Sequence, residues 1–122
     1  GYLGSYGAQL HPLPSDPEGV VVDSLLAEGN PKNDKVLFIW SSCNPPTNVS
    51  LSKGRRDKIL SVCKTHNIPV IDNCMLELYN LEKDGPNYLF RQGFSDGVVQ
   101  IGAFPRGMAA GTWLSWIVAP KS

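Results

Sequence analysis

The 122-residue chain has no block of like charge: eleven Lys and Arg balance eleven Asp and Glu, and the pI lies near 6.9. A nucleic-acid footprint or a cationic patch for an anionic membrane is therefore not expected. Cysteine is scarce, with three residues at positions 43, 63 and 74. Their odd number and the absence of a CxxC spacing argue against a disulfide framework and against a zinc site. Ordinary buried thiols in a reducing cytoplasm fit better. No apolar run reaches the length of about 18 residues that a membrane helix needs, and no basic-then-apolar leader opens the chain, so neither spanning nor secretion is expected. Repeats and low-complexity segments are missing as well. His11 and His66 lie far apart in sequence and give no ligand pair.

What the chain does have is 42% hydrophobic content against 18% charged residues, enough for the core of one globular domain. Pro, Gly and Asn clusters divide short apolar runs from one amphipathic stretch. "AQLHPL" at 8–13 alternates like a short strand, "VVVDSLLAE" at 20–28 suggests a short helix, and "KVLFIWS" at 35–41 reads as a strand buried on both faces. "SLSKGRRDKILSVCKTHN" at 50–67 is the clearest helix. Ser50 or Ser52 can cap it, Ile59, Val62 and Cys63 recur on one face, and Asn67 before an Ile-Pro pair ends it. Its Arg55, Arg56, Lys58 and Lys64 are expected to form a solvated face, because Asp57 interrupts them and the chain is neutral. "IPVID" at 68–72, "GVVQIGAF" at 97–104 and "TWLSWIVAP" at 112–120 read as further strands, rich in β-branched and aromatic residues.

Strands separated by helical patterns call for a three-layer αβα arrangement with a mostly parallel sheet. The eight or so residues between the last two strands are too few for a parallel crossover, so the final strand is expected to be antiparallel. In such sheets ligands sit at the carboxyl ends of the parallel strands, here around Ser41 to Thr47, Asp72 to Leu76 and Ala103 to Arg106. Cys74, beside Asn73, is a candidate reactive thiol there, although no histidine stands at a suitable spacing and a structural role is favoured. Trp40, Trp113 and Trp116 fall in strand patterns and suit a core or an interface.

Several motifs in order carry more than any of these alone. "YGAQLHPLPSDPEGVVVDSLL" resembles a glycine-alanine turn, a strand and "D-x-x-G-x-x-x-D-x-L". "PPTNVSLSKGRRDKIL" resembles "N-P-T-G-V-x-L-S-x-x-R-R-x-x-L-L", and "THNIPVIDN" resembles "x-H-x-I-P-I-I-E-D-D". "GAFPRGMAAGTWLSWIVAP" is similar to "G-S-F-S-K-T-L-A-P-G-L-R-L-G-Y-L-V-A-P". Together they resemble the central part of the large domain of fold-type-I, pyridoxal-phosphate-dependent aminotransferases of class I/II. The resemblance is strongest to the aminotransferase-like domain of MocR-type regulators in the GntR group. It implies that residues 1–122 are a single, partial version of that domain, lacking the earlier strands and the later small domain.

The family's cofactor contacts fall, position by position, on residues that cannot make them. The asparagine that meets the ring hydroxyl falls at Pro45, and the aspartate that pairs with the ring nitrogen falls at Asn73, which lacks the charge that stabilises a pyridinium. The tyrosine three residues beyond falls at Leu76. The phosphate-binding serine falls at Ala103, the Schiff-base lysine at Arg106, and the phosphate-binding arginine at Trp113. Arg106 keeps its proton at any physiological pH, so it neither forms a stable imine nor abstracts a proton. The resemblance thus implies a cytoplasmic, non-catalytic domain that has lost pyridoxal phosphate. Such a domain would bind a small amine or amino-acid effector and self-associate, with no nucleic-acid or membrane contact of its own. Two alternatives stand beside it: a fragment or relic of an aminotransferase, and a pseudoenzyme module that supports a partner chain.

Overall fold

Local signals at both ends delimit helix α3, Lys53–Thr65, in the computed structural model, which describes residues 2–27, 35–77, 89, 97–104, 111 and 114–121. Ser52 is the N-cap: its hydroxyl accepts the backbone N–H of Arg55 at 3.1 Å. At the other end Asn67 takes a left-handed conformation with φ 51°. There Ile68 N–H donates to Cys63 O at 2.8 Å and Asn67 N–H to Lys64 O at 3.3 Å, a Schellman closure with asparagine in the place glycine usually takes. Ile59, Leu60 and Cys63 point into a core shared with Leu37, Ile39, Val70 and Val98.

That core lies under a four-stranded sheet made of β3 (Leu37–Ile39), β4 (Val70–Asn73), β5 (Val98–Ala103) and β6 (Ser115–Val118), in the order β3-β4-β5-β6. β3 and β4 pair in parallel with Ile39 opposite Asp72, and β4 and β5 in parallel with Asp72 opposite Gln100. β6 runs antiparallel to β5 with Gly102 opposite Trp116, as the short connection requires. Gly102 has no alternative residue: a Cβ there would collide with the Trp116 indole.

Side chains alternate across the sheet, so the register assigns its faces. Leu37, Ile39, Val70 and Val98 are buried beneath α3. Leu89, the one described residue between 78 and 96, joins the same cluster. Phe38, Ile71, Val99, Ile101 and Ile117 occupy the opposite face, where Phe38 is 48% and Ile117 71% exposed. The mixed, mostly parallel sheet with an antiparallel last strand is as expected. A second helical layer over the open face is not among the described residues.

Three local expectations need correction. Residues 8–14 are irregular rather than a strand, since Pro12 and Pro14 interrupt any ladder. The extended structure forms just afterwards as a small antiparallel hairpin, β1 (Ser15–Asp16) and β2 (Gly19–Val20). Its turn is written in "DPEG": Asp16 Oδ1 accepts Glu18 N–H at 2.9 Å, and Gly19 supplies φ 104°. Of the helix expected at 20–28, Val20 belongs to β2 instead, and among the described residues the helix is α2 (Ser24–Ala27). A further single turn, α1, spans Tyr2–Ser5.

The third correction concerns the basic face of α3. Arg55 is only 12% exposed, and its guanidinium spans the hairpin, donating to Val20 O at 2.7 Å and Gly19 O at 3.3 Å and pairing with Asp16 at 2.7 Å. Glu18 stands at 3.5 Å from the same guanidinium. Arg56 is buried and donates to Leu51 O at 2.6 Å. Lys58 and Lys64 are exposed as expected, Lys58 pairing with Asp23 at 2.6 Å. The hairpin seats on the first turn of α3 through Arg55, and Arg56 turns back onto the Leu51 carbonyl, tertiary and local contacts that helical periodicity does not encode.

Candidate functional site

The carboxyl ends of β3, β4 and β5 lie side by side at one edge of the sheet, where a ligand is expected in this architecture. Pro45 sits on an exposed turn after β3, held by Asn44 N–H to Val49 O at 3.0 Å and Asn48 N–H to Asn44 O at 2.8 Å; the Pro45–Pro46 peptide is cis. Asn73 ends β4 and is buried; its Oδ1 accepts Met75 N–H at 3.1 Å. Leu76 is half-buried in the turn that follows. Ala103 ends β5, opposite Ser115, on the face it shares with Ile101 and Asn73. Arg106 and Trp113 lie outside the described residues. Of the six positions, Asn73 and Ala103 end adjacent strands on one face, and Pro45 and Leu76 lie on the segments that follow β3 and β4.

Beside them is a buried polar cluster that sequence reasoning did not assemble. Asp72 is fully buried in β4, and Ser41, also fully buried, donates to it twice: backbone N–H to Oδ1 at 3.1 Å and hydroxyl to Oδ2 at 2.9 Å. Leu89 N–H approaches Oδ2 at 3.4 Å. Burial pushes the Asp72 carboxyl above its ordinary value, and the hydrogen bonds from Ser41 and Leu89 oppose that rise. Cys74 follows at the strand end, with its backbone N–H bonded to Ile101 O at 2.8 Å and its sulfur accepting Gln100 Nε2 at 3.2 Å. A polar Gln100 inside the apolar run "VVQIGA" was the one sequence sign of this interior network.

Burial pushes the Cys74 thiol up to about 12, with the Asp72 carboxylate adding to the rise, and burial alone pushes Cys63 up to about 11. Burial thus disfavours the thiolate of both, which suits a structural role for Cys74. Cys43, Cys63 and Cys74 are all buried. Among the described residues no group of three or more His, Cys, Asp and Glu side chains could hold a metal ion. None of the helices described is long and apolar enough to cross a membrane. Trp40 and Trp116 are half-buried in the sheet region, consistent with packing roles.

Two further groups in this region are unusual. Glu77, in the turn after β4, is 6% exposed, and Ser42, just after β3, is 2% exposed. Among the described residues, neither oxygen of the Glu77 carboxylate nor the Ser42 hydroxyl has a hydrogen-bond partner. Buried polar oxygens are rarely left so.

Comparison with known proteins places this edge in context. No protein-family model matches the chain. Over 117 residues it is 26% identical to YisV of Bacillus subtilis (strain 168), an uncharacterized HTH-type transcriptional regulator, covering 96% of this chain and 24% of that one. The chain thus spans about a quarter of the length of the curated relatives it matches. In fold it is similar to an archaeal alanine:glyoxylate aminotransferase, with a TM-score of 0.76 at 22% identity over 94% of this chain and 30% of that one. It is equally similar to the N-succinyldiaminopimelate aminotransferase of Mycobacterium tuberculosis, with a TM-score of 0.76 at 21% identity over 97% of this chain and 32% of that one. The fold is that of part of an aminotransferase, and the sequence is similar to transcriptional regulators.

Proposed function

We propose that the chain, as one partial domain over residues 1–122, is the non-catalytic, aminotransferase-like portion of a MocR/GntR-type transcription regulator, binding a small effector and holding an oligomer in the cytoplasm. The observation that carries this reading is Arg106, which stands where the resembled family places its imine-forming lysine. A guanidinium with a pKa above about 12 does not perform that chemistry. The similarity to an HTH-type regulator supports the regulatory half of the reading.

The surrounding residues do not fit pyridoxal phosphate either. Pro45 offers no donor, Ala103 has no hydroxyl, and Asn73 is a neutral amide whose Oδ1 is already engaged by Met75 N–H. Charge-assisted contacts are worth about 1.5 to 3 kcal/mol each, so replacing several of them lowers cofactor affinity by orders of magnitude. Self-association is supported by β3 and β6, which stand at the two ends of the strand order among the described residues, and by the half-exposed apolar face between them.

Incubation with pyridoxal phosphate, followed by absorption spectroscopy, borohydride reduction and peptide mapping, tests the non-catalytic reading. No labelled lysine is expected at this edge, and recovery of one overturns the reading. The alternative of an aminotransferase relic is favoured by the fold alone. It requires a lysine such as Lys53, Lys58 or Lys64 to reach the cofactor, yet Lys53 is 84% exposed, Lys58 is paired with Asp23 and Lys64 is exposed, all on α3. Sedimentation tests the assembly role: a folded monomer at every concentration counts against it.

A further inference from the structure

The sheet face turned away from α3 carries Phe38, Ile71, Val99, Ile101 and Ile117, apolar side chains that together cross all four strands. None of the described strand residues on this face is charged. Its margins are the most open, with Phe38 on β3 at 48% and Ile117 on β6 at 71% exposure. Strands that are apolar on both sides belong to sheets covered on both faces.

Area measures how much surface such a cover would take. A compact monomer of 13.3 kDa exposes about 6,500 Å². This chain exposes 8491 Å², an excess of about 2,000 Å². Permanent homodimers bury about 1,000–2,500 Å² of each partner, so the excess is of the size that a second copy removes. Charge is no obstacle. The chain has a net charge of zero and the face is uncharged, so two like faces meet without repulsion and without stranding an ion.

From this we infer that the open sheet face is the seat of a second copy of this chain, the two sheets stacked face to face about a two-fold axis. One self-complementary patch serves both partners in such a contact. Facing sheets pack about 10 Å apart with their side chains interdigitated, which takes Phe38 and Ile117 out of water. The inference rests on the assembly part of the proposed function and specifies the surface and its occupant.

Sedimentation velocity over a concentration series, on the parent chain, Ile117→Lys and Leu10→Lys, tests it. Both positions are exposed, Leu10 at 64% and outside the sheet, so both variants are expected to fold, which far-UV circular dichroism checks. The parent is expected to be a dimer whose dissociation constant rises at least about tenfold in Ile117→Lys and is unchanged in Leu10→Lys. Phe38→Lys repeats the test from the opposite margin. An oligomer that Ile117→Lys and Phe38→Lys leave intact, or that Leu10→Lys weakens as much, overturns this face and spares the assembly reading. A parent that is monomeric at every concentration overturns both, whether the face then binds an apolar dye, as an open face does, or excludes it, as a face covered by another part of the polypeptide does.

Discussion

Asp72 receives both protons that Ser41 can offer, one from the backbone at 3.1 Å and one from the hydroxyl at 2.9 Å, in an interior from which water is excluded. The pair joins the carboxyl ends of β3 and β4 through the Asp72 side chain, with Ser41 two residues beyond Ile39, the last β3 residue in register, which stands opposite Asp72.

Removing that acceptor is expected to be expensive. Asp72→Ala leaves the Ser41 N–H and hydroxyl buried without a partner and should lower stability by about 2–4 kcal/mol in urea unfolding. Burial holds the Asp72 carboxyl above its ordinary 3.8, so the folded chain binds this proton more tightly than the unfolded one. The contribution is complete below that ordinary value and is lost as pH rises through the raised one. Asp72→Asn should flatten this part of the pH profile, and a profile unchanged in Asp72→Asn would show that Asp72 is not its source.

At the β5–β6 pair, Gly102→Ala places a methyl group against the Trp116 ring. The indole must move or the strands must part, at a cost of about 1–3 kcal/mol. The tryptophan emission spectrum should shift in the same variant. An unchanged spectrum with full stability would contradict the packing described.

Arg55 binds the hairpin through two kinds of acceptor, the carbonyls of Gly19 and Val20 and the carboxylates of Asp16 and Glu18. Asp16 is held below its ordinary value by the hydrogen bond from Arg55, so its share is present above that value and fades as pH falls through the depressed one. Arg55→Ala should lower the melting temperature more than Asp16→Asn does. The Asp16→Asn effect should shrink in about 0.5 M salt while most of the Arg55→Ala effect persists. Equal losses that vanish together in salt would mean the carbonyl bonds contribute nothing.

Restoring one amine should not restore the resembled chemistry. In Arg106→Lys the positions of Pro45, Asn73 and Ala103 still lack the ring and phosphate contacts, so borohydride trapping with pyridoxal phosphate is expected to leave residue 106 unlabelled. A trapped lysine in that single variant would show that the rest of the edge still serves the cofactor.

The sheet and its helix were readable because their signals are local. "KVLFIWS", "IPVID" and "GVVQIGAF" are apolar runs bounded by breakers, and Ser52 and Asn67 mark the ends of α3. The antiparallel last strand followed from chain length alone. The hairpin is hidden because the alternation in "AQLHPL" suggests a strand in spite of Pro12 within it, while "DPEG" carries the turn. The arginine contacts and the meeting of Ser41 with Asp72 join residues 35, 36 and 31 positions apart. No periodicity reports such pairs. At the site, the altered family positions were visible as substitutions, but the unpartnered oxygens of Glu77 and Ser42 exist only once the strands are paired.

Along β5 buried and half-buried residues alternate without a break from Val98 to Ala103. Val98 and Val99 are therefore neighbours in the chain that inhabit different surroundings, one sealed under α3 and the other looking out across Phe38 and Ile71. Methyl resonances from these two valines would monitor both sides of the sheet within one experiment. Any companion that settles on the outer side would move the Val99 signals first and leave those of Val98 as an internal reference.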